Sequence, residues 1–397
     1  MSETQKHTKP NVPNLRFPGF EGEWEERRLG ECCSGFDYGM NAASKSYDGV
    51  NGYIRITDID ERTNEFRKEG IVSPDAVIDE IYRVRENDIL FARTGASTGK
   101  TYLYKPRDGR LFFAGFLIRA NVFNWADSRF VFYQTQIKRY AKWVQIMSMR
   151  SGQPGINSQE YASFQVNLPE LNEQKKIASF IALLDQRISL QIKLIEDLRI
   201  LKKAIMARLF HSSDGEMKTL GELTVNFSNR NKQRIPYPMF SVTNDKGFIP
   251  QSEQFEDREM EGEDIAAYKL IQAGDIAYNP ARINVGSIAQ YKGKTTCMIS
   301  SLYVCIQAKR TVSDRWLMHI LKSERLLYYY NLYAEGGVRL YLFYPNFSRI
   351  KVFVPPYAKQ ERIADCLDAI EKKVEQESVL LNDLMRQKQF FLSRLFL

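Results

Sequence analysis

The sequence predicts a mixed α/β (α+β) protein that uses one plan twice: two globular domains of one fold, each followed by a long helix, with the two helices paired as a coiled coil. Two observations carry this prediction. Residues 174–210 and 360–396 align without a gap at an offset of 186, with ten of the 37 paired positions identical; composition alone gives roughly two or three. The identities are Gln174/Gln360, Ile177/Ile363, Ala178/Ala364, Leu194/Leu380, Asp197/Asp383, Leu198/Leu384, Lys202/Lys388 and the closing Arg-Leu-Phe of each copy. A period this long marks whole domains, not small stacked units. The second observation is a heptad path. Alternating steps of four and three from Ile177 land on Ile181, Leu184, Ile188, Gln191, Ile195, Leu198, Lys202, Ile205 and Leu209. The matching path runs from Ile363 through Leu367, Ile370, Val374, Glu377, Leu381, Leu384, Lys388, Phe391 and Leu395. Eight of ten positions in each path are apolar, which is the pattern of a coiled-coil seam and not of an ordinary surface helix.

The helix boundaries follow from local chemistry. Pro169 and Pro355-Pro356 stand just before each run, where proline fixes the entry and forbids an earlier turn. His211-Ser212-Ser213-Asp214-Gly215 is a stop and linker after the first. A helix of 37 residues is about 55 Å long. Both seams carry polar residues at the same two places, Gln191/Glu377 and Lys202/Lys388. Such groups either pin the pairing register or snorkel out of a loosely packed seam.

The globular parts repeat in their landmarks and differ in their middles. Each opens on Leu-Gly-Glu (Leu29-Gly30-Glu31, Leu220-Gly221-Glu222), and each carries an Asp-Ile strand start followed by an arginine, at 87–93 and 274–282. Phe112–Ile118 and Ser301–Ile306 read as strands, Arg129–Val144 and Arg315–Tyr333 as aromatic-rich helices. The predicted divisions are a tail over 1–20, domains over 21–168 and 214–355, and helices over 169–213 and 356–397.

Composition narrows the function classes. At 397 residues and 44% hydrophobic content the chain can bury two cores. A net charge of +8 suits a polyanionic partner. The first nine residues lack the apolar core of a signal peptide, and no run approaches the length of a membrane helix. Cys32, Cys33, Cys297, Cys305 and Cys366 have no zinc or disulfide spacing. The reading is a cytoplasmic, reduced protein.

Catalytic motifs fail on inspection. Gly95–Thr101 is similar to a Walker A loop but has three residues between its glycines, not four, so a turn that carries a lysine towards a phosphate backbone is the better reading. Tyr278-Asn279-Pro280-Ala281 is short of the base-holding motif of amino-methylating enzymes, and no methyl-donor loop accompanies it. His7, His211 and His319 are isolated. Asp58/Asp60 and Glu261/Glu263/Asp264 lie in charged stretches that read as solvated faces, so no metal is expected. Tyr328, Tyr329, Tyr330 and Tyr333 either pack in a core or stack on bases. Nothing assembles a nucleophile, a base and an oxyanion donor.

The opening NVPNLRFPGFEGEWEERRLGE from Asn11, the run LPELNEQKKIASFIALLD from Leu168, its echo VPPYAKQERIADCLDAIE from Val354, and the closing ARLF and SRLF together resemble the DNA specificity (S) subunit of type I restriction-modification systems. The resemblance covers nearly the whole chain. Lys359 departs from it, standing where an acidic residue is common and putting one local contact in doubt. It implies two target-recognition domains in pseudo-twofold arrangement, held by an antiparallel pair of helices. It implies no catalysis by this chain. Each recognition domain is expected to read one half of a bipartite, asymmetric site in double-stranded DNA. The helices are expected to set the spacing and to dock two methyltransferase (M) subunits that methylate adenine, with nuclease (R) subunits joining, around one copy of this chain. No cofactor is expected here; S-adenosylmethionine, ATP and magnesium are expected on the partners. A stand-alone DNA-modifying enzyme and a coiled-coil adaptor are the alternatives.

Base readout needs forked donors, and backbone binding needs cations. Candidate DNA-contacting residues are Arg93, Thr94, Ser97, Lys100, Arg150, Gln153 and Asn157 in the first domain, and Arg282, Asn284, Lys292, Arg339 and Tyr341 in the second. The candidates for helix pairing are Ile177, Ile181, Leu184, Ile188, Ile195 and Leu198 with Ile363, Leu367, Ile370, Val374, Leu381 and Leu384. Leu183, Leu190, Ile192 and Leu201 flank the seam and are expected to face the methyltransferase.

Overall fold

The computed structural model describes residues 11–149, 152–209, 214–251, 265–337 and 339–397. His7, Arg150, His211, Glu261, Glu263 and Asp264 lie outside the described residues. The chain forms two compact units, Met1–Leu194 with Ser378–Leu397, and Ile195–Glu377. Each unit therefore takes one globular domain, the first half of the helix that follows it and the second half of the other helix.

The two units share a sheet. In the first, strands Cys33–Tyr38, Leu117–Val122, Asp88–Ala92 and Thr101–Leu103 lie side by side in that order, all antiparallel. In the second the order is Thr224–Phe227, Val304–Ala308, Ile276–Tyr278 and Ile288–Gln290, again antiparallel. A two-stranded ribbon accompanies each sheet, pairing Glu25 with Leu168 and Glu216 with Val354 at its ends. The repeated Asp-Ile has a structural cause. Asp88 accepts the N–H of Arg85 (2.7 Å) and Asp275 that of Gln272 (2.8 Å), so each aspartate closes the turn that feeds its central strand.

Two predicted elements are subdivided. The stretch expected as strand over 112–118 is a strand Leu111–Phe113, a turn, and the strand Leu117–Val122. Each aromatic-rich helix is two: Ser128–Gln134 and Lys138–Met147, and Asp314–Leu321 and Glu324–Tyr333. In the second unit the break is a cap, since Ser323 accepts from the Leu326 N–H. Tyr330 is buried in the core, as the packing reading expects, and Tyr328 is exposed.

The long helices run Leu171–Leu209 and Tyr357–Leu395. Within the first unit Phe180 meets Phe391 at 4.8 Å between ring centroids, and Asp185 meets Lys388 at 2.6 Å. Within the second, Lys202 pairs with Glu371, and Met206 packs with Ile363, Ala364 and Leu367. In both, the partner's number falls as the first rises: the segments are antiparallel. Ile177, Ile181, Ile188, Ile195, Ile363, Leu367, Ile370, Leu381 and Leu384 are buried, and Leu184, Leu198 and Val374 are half-buried.

The lysines on the seam do more than snorkel. In the first unit Lys388 reaches Asp185, which also accepts from the Tyr133 hydroxyl (2.8 Å), and its ammonium lies 5.8 Å from that ring. In the second unit Lys202 and Glu371 take the corresponding places, with His319 Nδ1 3.7 Å from Glu371 and its Nε2 2.8 Å from Asp368. Lys388 thus joins the helix pair to the adjacent globular domain, while in the second unit Glu371 and Asp368 make that link through His319. Ligand atoms of His319, Asp368 and Glu371 lie within 4.8 Å of one another, but Arg315 (3.1 Å) and Lys202 already neutralise the two carboxylates.

The repeated glutamine is a clamp. Gln174 accepts from the Asp127 N–H (2.9 Å) and donates to Pro169 O (2.8 Å). Gln360 accepts from the Ser313 N–H (2.8 Å) and donates to Pro355 O (2.8 Å). Both side chains are buried, so Gln174→Ala leaves the half-buried Asp127 N–H and the buried Pro169 carbonyl without these partners. A loss of about 1–3 kcal/mol is expected, checked by the denaturant midpoint of the variant. Lys359, the departure noted in the sequence, pairs with Asp214 at 3.4 Å. Glu173 in the first copy pairs with Arg16 at 2.7 Å, so the local contact persists with its charges exchanged.

Candidate nucleic-acid interface

In each unit several loops gather where the central strand ends. In the first, Arg93 donates its N–H to Phe116 O and accepts from the Ile156 N–H, both at 3.0 Å, while the Gly95 N–H donates to Pro154 O at 3.0 Å. The 93–100 loop, the turn at Phe116 and the 153–158 segment are thereby tied together. Gly95 has a φ of +76° with Gln153 Nε2 3.2 Å from where a Cβ would stand, so the loop requires glycine there.

Arg93 is the centre of this surface. Its Nε donates to Gly115 O at 2.9 Å, and its guanidinium lies 5.1 Å from the Tyr38 ring and 6.0 Å from that of Phe116. Its terminal nitrogens have no hydrogen-bond partner among the described residues. Tyr38 and Phe116 are 43% and 61% exposed, an amphipathic rim of the kind that stacks on bases or sugars. Hydrogen bonding with Ser158, opposed by burial, holds the Tyr38 phenol below its ordinary pKa. A groove of about 650 Å³ runs beneath, lined by Tyr38, Asn41, Tyr53, Arg55 and Arg93 among others.

The other candidates in this unit divide. Gln153 is exposed on the loop. Thr94 bridges to Gly155, and Ser97 is half-buried in the single turn Gly95–Ser97. Asn157 caps the helix Ser158–Ala162, exchanging hydrogen bonds with Glu160 at 2.9 and 2.8 Å. Lys100 corrects the expectation of a lysine carried towards a phosphate: it turns inward to Ile59 O (3.3 Å) and Glu61 (3.4 Å), with its side chain 13% exposed. The Gly95–Thr101 segment is a packed turn.

In the second unit the central strand ends at Asn279, which accepts from the Ala281 N–H (3.0 Å) and so makes the tight turn of the Asn-Pro-Ala sequence. Pro280 O accepts from the Leu342 N–H at 2.9 Å, as Arg93 O does from Ile156. Asn284 donates to Asn331 at 2.9 Å, drawing the end of the helix Glu324–Tyr333 to the loop. Tyr341 exchanges backbone hydrogen bonds with Glu335 (2.8 and 2.9 Å), and its ring stacks on Phe343 at 5.9 Å. Arg282 and Arg339 are exposed here, and Arg339 stands at the repeat distance of 186 from Gln153. Lys292 does not join them. The strand Ile288–Gln290 carries the chain to the opposite end of the sheet, where Lys292 lines a groove with Arg315 and His319.

Tyr38, Phe116, Asn331 and Phe343 belong to these surfaces and were missed in the sequence. Only Phe116 carries a local signal, an aromatic directly after a turn glycine.

Residues 21–199 match the family described as the type I restriction modification DNA specificity domain. The MjaX specificity subunit of Methanocaldococcus jannaschii, described as a putative type I restriction enzyme, is 24% identical over 94% of this chain and 92% of its own length. The MjaVIII specificity subunit of the same organism is 27% identical over 52% of this chain; the match spans 45% of that relative's length. Among solved structures, the S subunit of a type I restriction-modification system from M. genitalium matches with a TM-score of 0.63 at 16% identity, covering 97% of this chain and 99% of that one. A chain from a study of assembly and conformational transition in the type I R-M system matches with a TM-score of 0.54 at 19% identity, over 96% and 99%. At these identities the structural likeness concerns the fold.

Proposed function

We propose, from the premise that this chain belongs to the family of type I restriction-modification specificity subunits, that each unit reads one half of a bipartite, asymmetric DNA site. As a specificity subunit it is the non-catalytic recognition component of such a system. The observation that carries the reading is one frame with two different reading ends. Both sheets have the same strand order, yet one presents Arg93, Gln153, Tyr38 and Phe116 where the other presents Arg282, Asn284, Arg339 and Phe343. Identical scaffolds with unlike donors suit two unlike half-sites.

In this reading the long helices fix the separation of the half-sites, since each has 39 residues and spans about 58 Å against the 34–36 Å of a DNA turn. They also dock two methyltransferase subunits. Leu183 and Leu190 in the first unit are 64% and 61% exposed, and Ile200 and Leu201 in the second 58% and 48%, apolar side chains that a partner subunit would cover. Ile192, expected with them, is half-buried. S-adenosylmethionine, ATP and magnesium act on the partner subunits, and nuclease subunits join this core.

Sequencing of methylated DNA from cells that co-express this chain with its methyltransferase tests the proposal. A split methyladenine motif that vanishes when this chain is deleted is expected. Methylation that is unchanged without it, or a motif confined to one contiguous block, overturns the reading.

A further inference from the structure

In the first unit Gly115 brings two polar residues side by side. Its carbonyl accepts from Nε of Arg93 (2.9 Å), and its own N–H donates to Met40 O (2.8 Å). A Cβ at Gly115 would stand 3.7 Å from the Asn41 Cα, so Arg93 and Asn41 flank one glycine. Both line the groove of about 650 Å³. Asn41 is exposed there, and its amide has no hydrogen-bond partner among the described residues. The backbone under Asn41 is fixed on both sides. The Tyr53 hydroxyl lies 2.8 Å from Met40 O and 3.1 Å from Ala42 O, the carbonyls of the two neighbours of Asn41. The Met40 N–H donates to Phe113 O (2.8 Å). Tyr53 is 2% exposed and belongs to the strand Gly52–Ile54, which pairs with Leu111–Phe113. Gly39 admits no side chain, because a Cβ would meet Ala114 O at 2.2 Å. The fold thus presents an amide on a braced backbone and makes no use of it.

We propose that Asn41 reads an A·T pair in the first half-site, beside the base that Arg93 reads, and that Tyr53 is the positioning residue that holds it in place. The proposal rests on the reading above that this unit contacts DNA. An asparagine amide carries a donor and an acceptor, and the adenine edge offers their complements at N7 and N6. Arg93 carries donors only, which suit a guanine edge, so the two side chains select different bases. A side chain on a braced backbone loses little freedom on binding, which favours its use in selection. Tyr53 acts on Asn41 through backbone carbonyls and meets no base itself.

The test uses the full chain with its methyltransferase. Sequencing of methylated DNA gives the motif, and anisotropy on duplexes substituted one pair at a time gives the affinities. Asn41→Ala is expected to reduce the preference for A·T at one position of the first half-site about tenfold, with every position of the second half-site unchanged. Asn41→Asp keeps acceptors and loses the donor, so it is expected to turn that position towards cytosine, whose N4 amino group donates. Tyr53→Phe removes only the hydroxyl and is expected to relax the same position by a smaller factor. Circular dichroism confirms that each variant is folded. An unchanged motif with Asn41→Ala, a relaxed position that is not A·T, or a loss shared by both half-sites overturns the proposal. Full preference retained in Tyr53→Phe overturns the positioning role. Wild-type protein that yields no split motif overturns the underlying function as well, an outcome distinct from a split motif that ignores the variants.

Discussion

Lys388→Ala is expected to destabilise the first unit by about 1–3 kcal/mol, because removing the buried lysine leaves the half-buried Asp185 carboxylate without its cation. Lys388 and Asp185 have side chains 8% and 19% exposed, 2.6 Å apart, and Asp185 also holds the Tyr133 hydroxyl. The equivalent change Lys202→Ala is expected to cost well under 1 kcal/mol, since its side chain and that of Glu371 are 31% and 50% exposed. Lys388→Met combined with Asp185→Leu removes both charges at similar volume and is expected to recover most of the loss. Denaturant titration of the four proteins decides the matter. Equal effects at 388 and 202, or a double variant worse than Lys388→Ala, would show that the lysine acts by packing alone.

Arg93→Ala is expected to lower affinity for the cognate site by about 1–3 kcal/mol, and to relax base preference in one half-site only. Arg93 ties three segments of the first unit by its backbone and is braced by Gly115 O, Tyr38 and Phe116 through its side chain. Such bracing lowers the entropic cost of presenting a fork to a base edge. Arg93→Lys should not rescue, because an ammonium cannot replace a bracketed planar fork. The readout is anisotropy of the methyltransferase complex on substituted duplexes, with the methylated motif as a second measure. Loss spread evenly over both half-sites would place Arg93 in general folding and not in reading.

The helical part of the fold was legible in the sequence because its signal is local. A seven-residue period repeats over a run, and Ile177 through Leu384 fall where it puts them. The sheet order was not legible, since pairings such as Ile276 with Ile306 and Ile89 with Ala120 join residues about thirty apart with no register mark between them. The same limit governs the interface. Arg93, Gln153, Arg282 and Arg339 sit in loops rich in turn residues, which composition exposes. Tyr38 and Phe116 come to Arg93 from separate strand ends, and only the pairing of those strands shows it. Lys292 was misplaced because three residues of strand are enough to carry a side chain to the far end of a sheet. Lys100 was misread because a lysine next to a glycine looks free until Glu61 is seen beneath it.

Leu392, Leu395 and Phe396 lie in the same hydrophobic core as Trp24 and Phe130, with Phe130 and Phe396 4.9 Å apart. The ribosome makes these partners hundreds of residues apart, so the first unit to be translated is the last able to close. Until then Phe130 and its neighbours wait as exposed apolar surface, and the unit begun later has every one of its described parts earlier. Synthesis order and completion order are thus reversed in this chain, and a released chain that ends short of residue 392 has every described part of the second unit and an open first one.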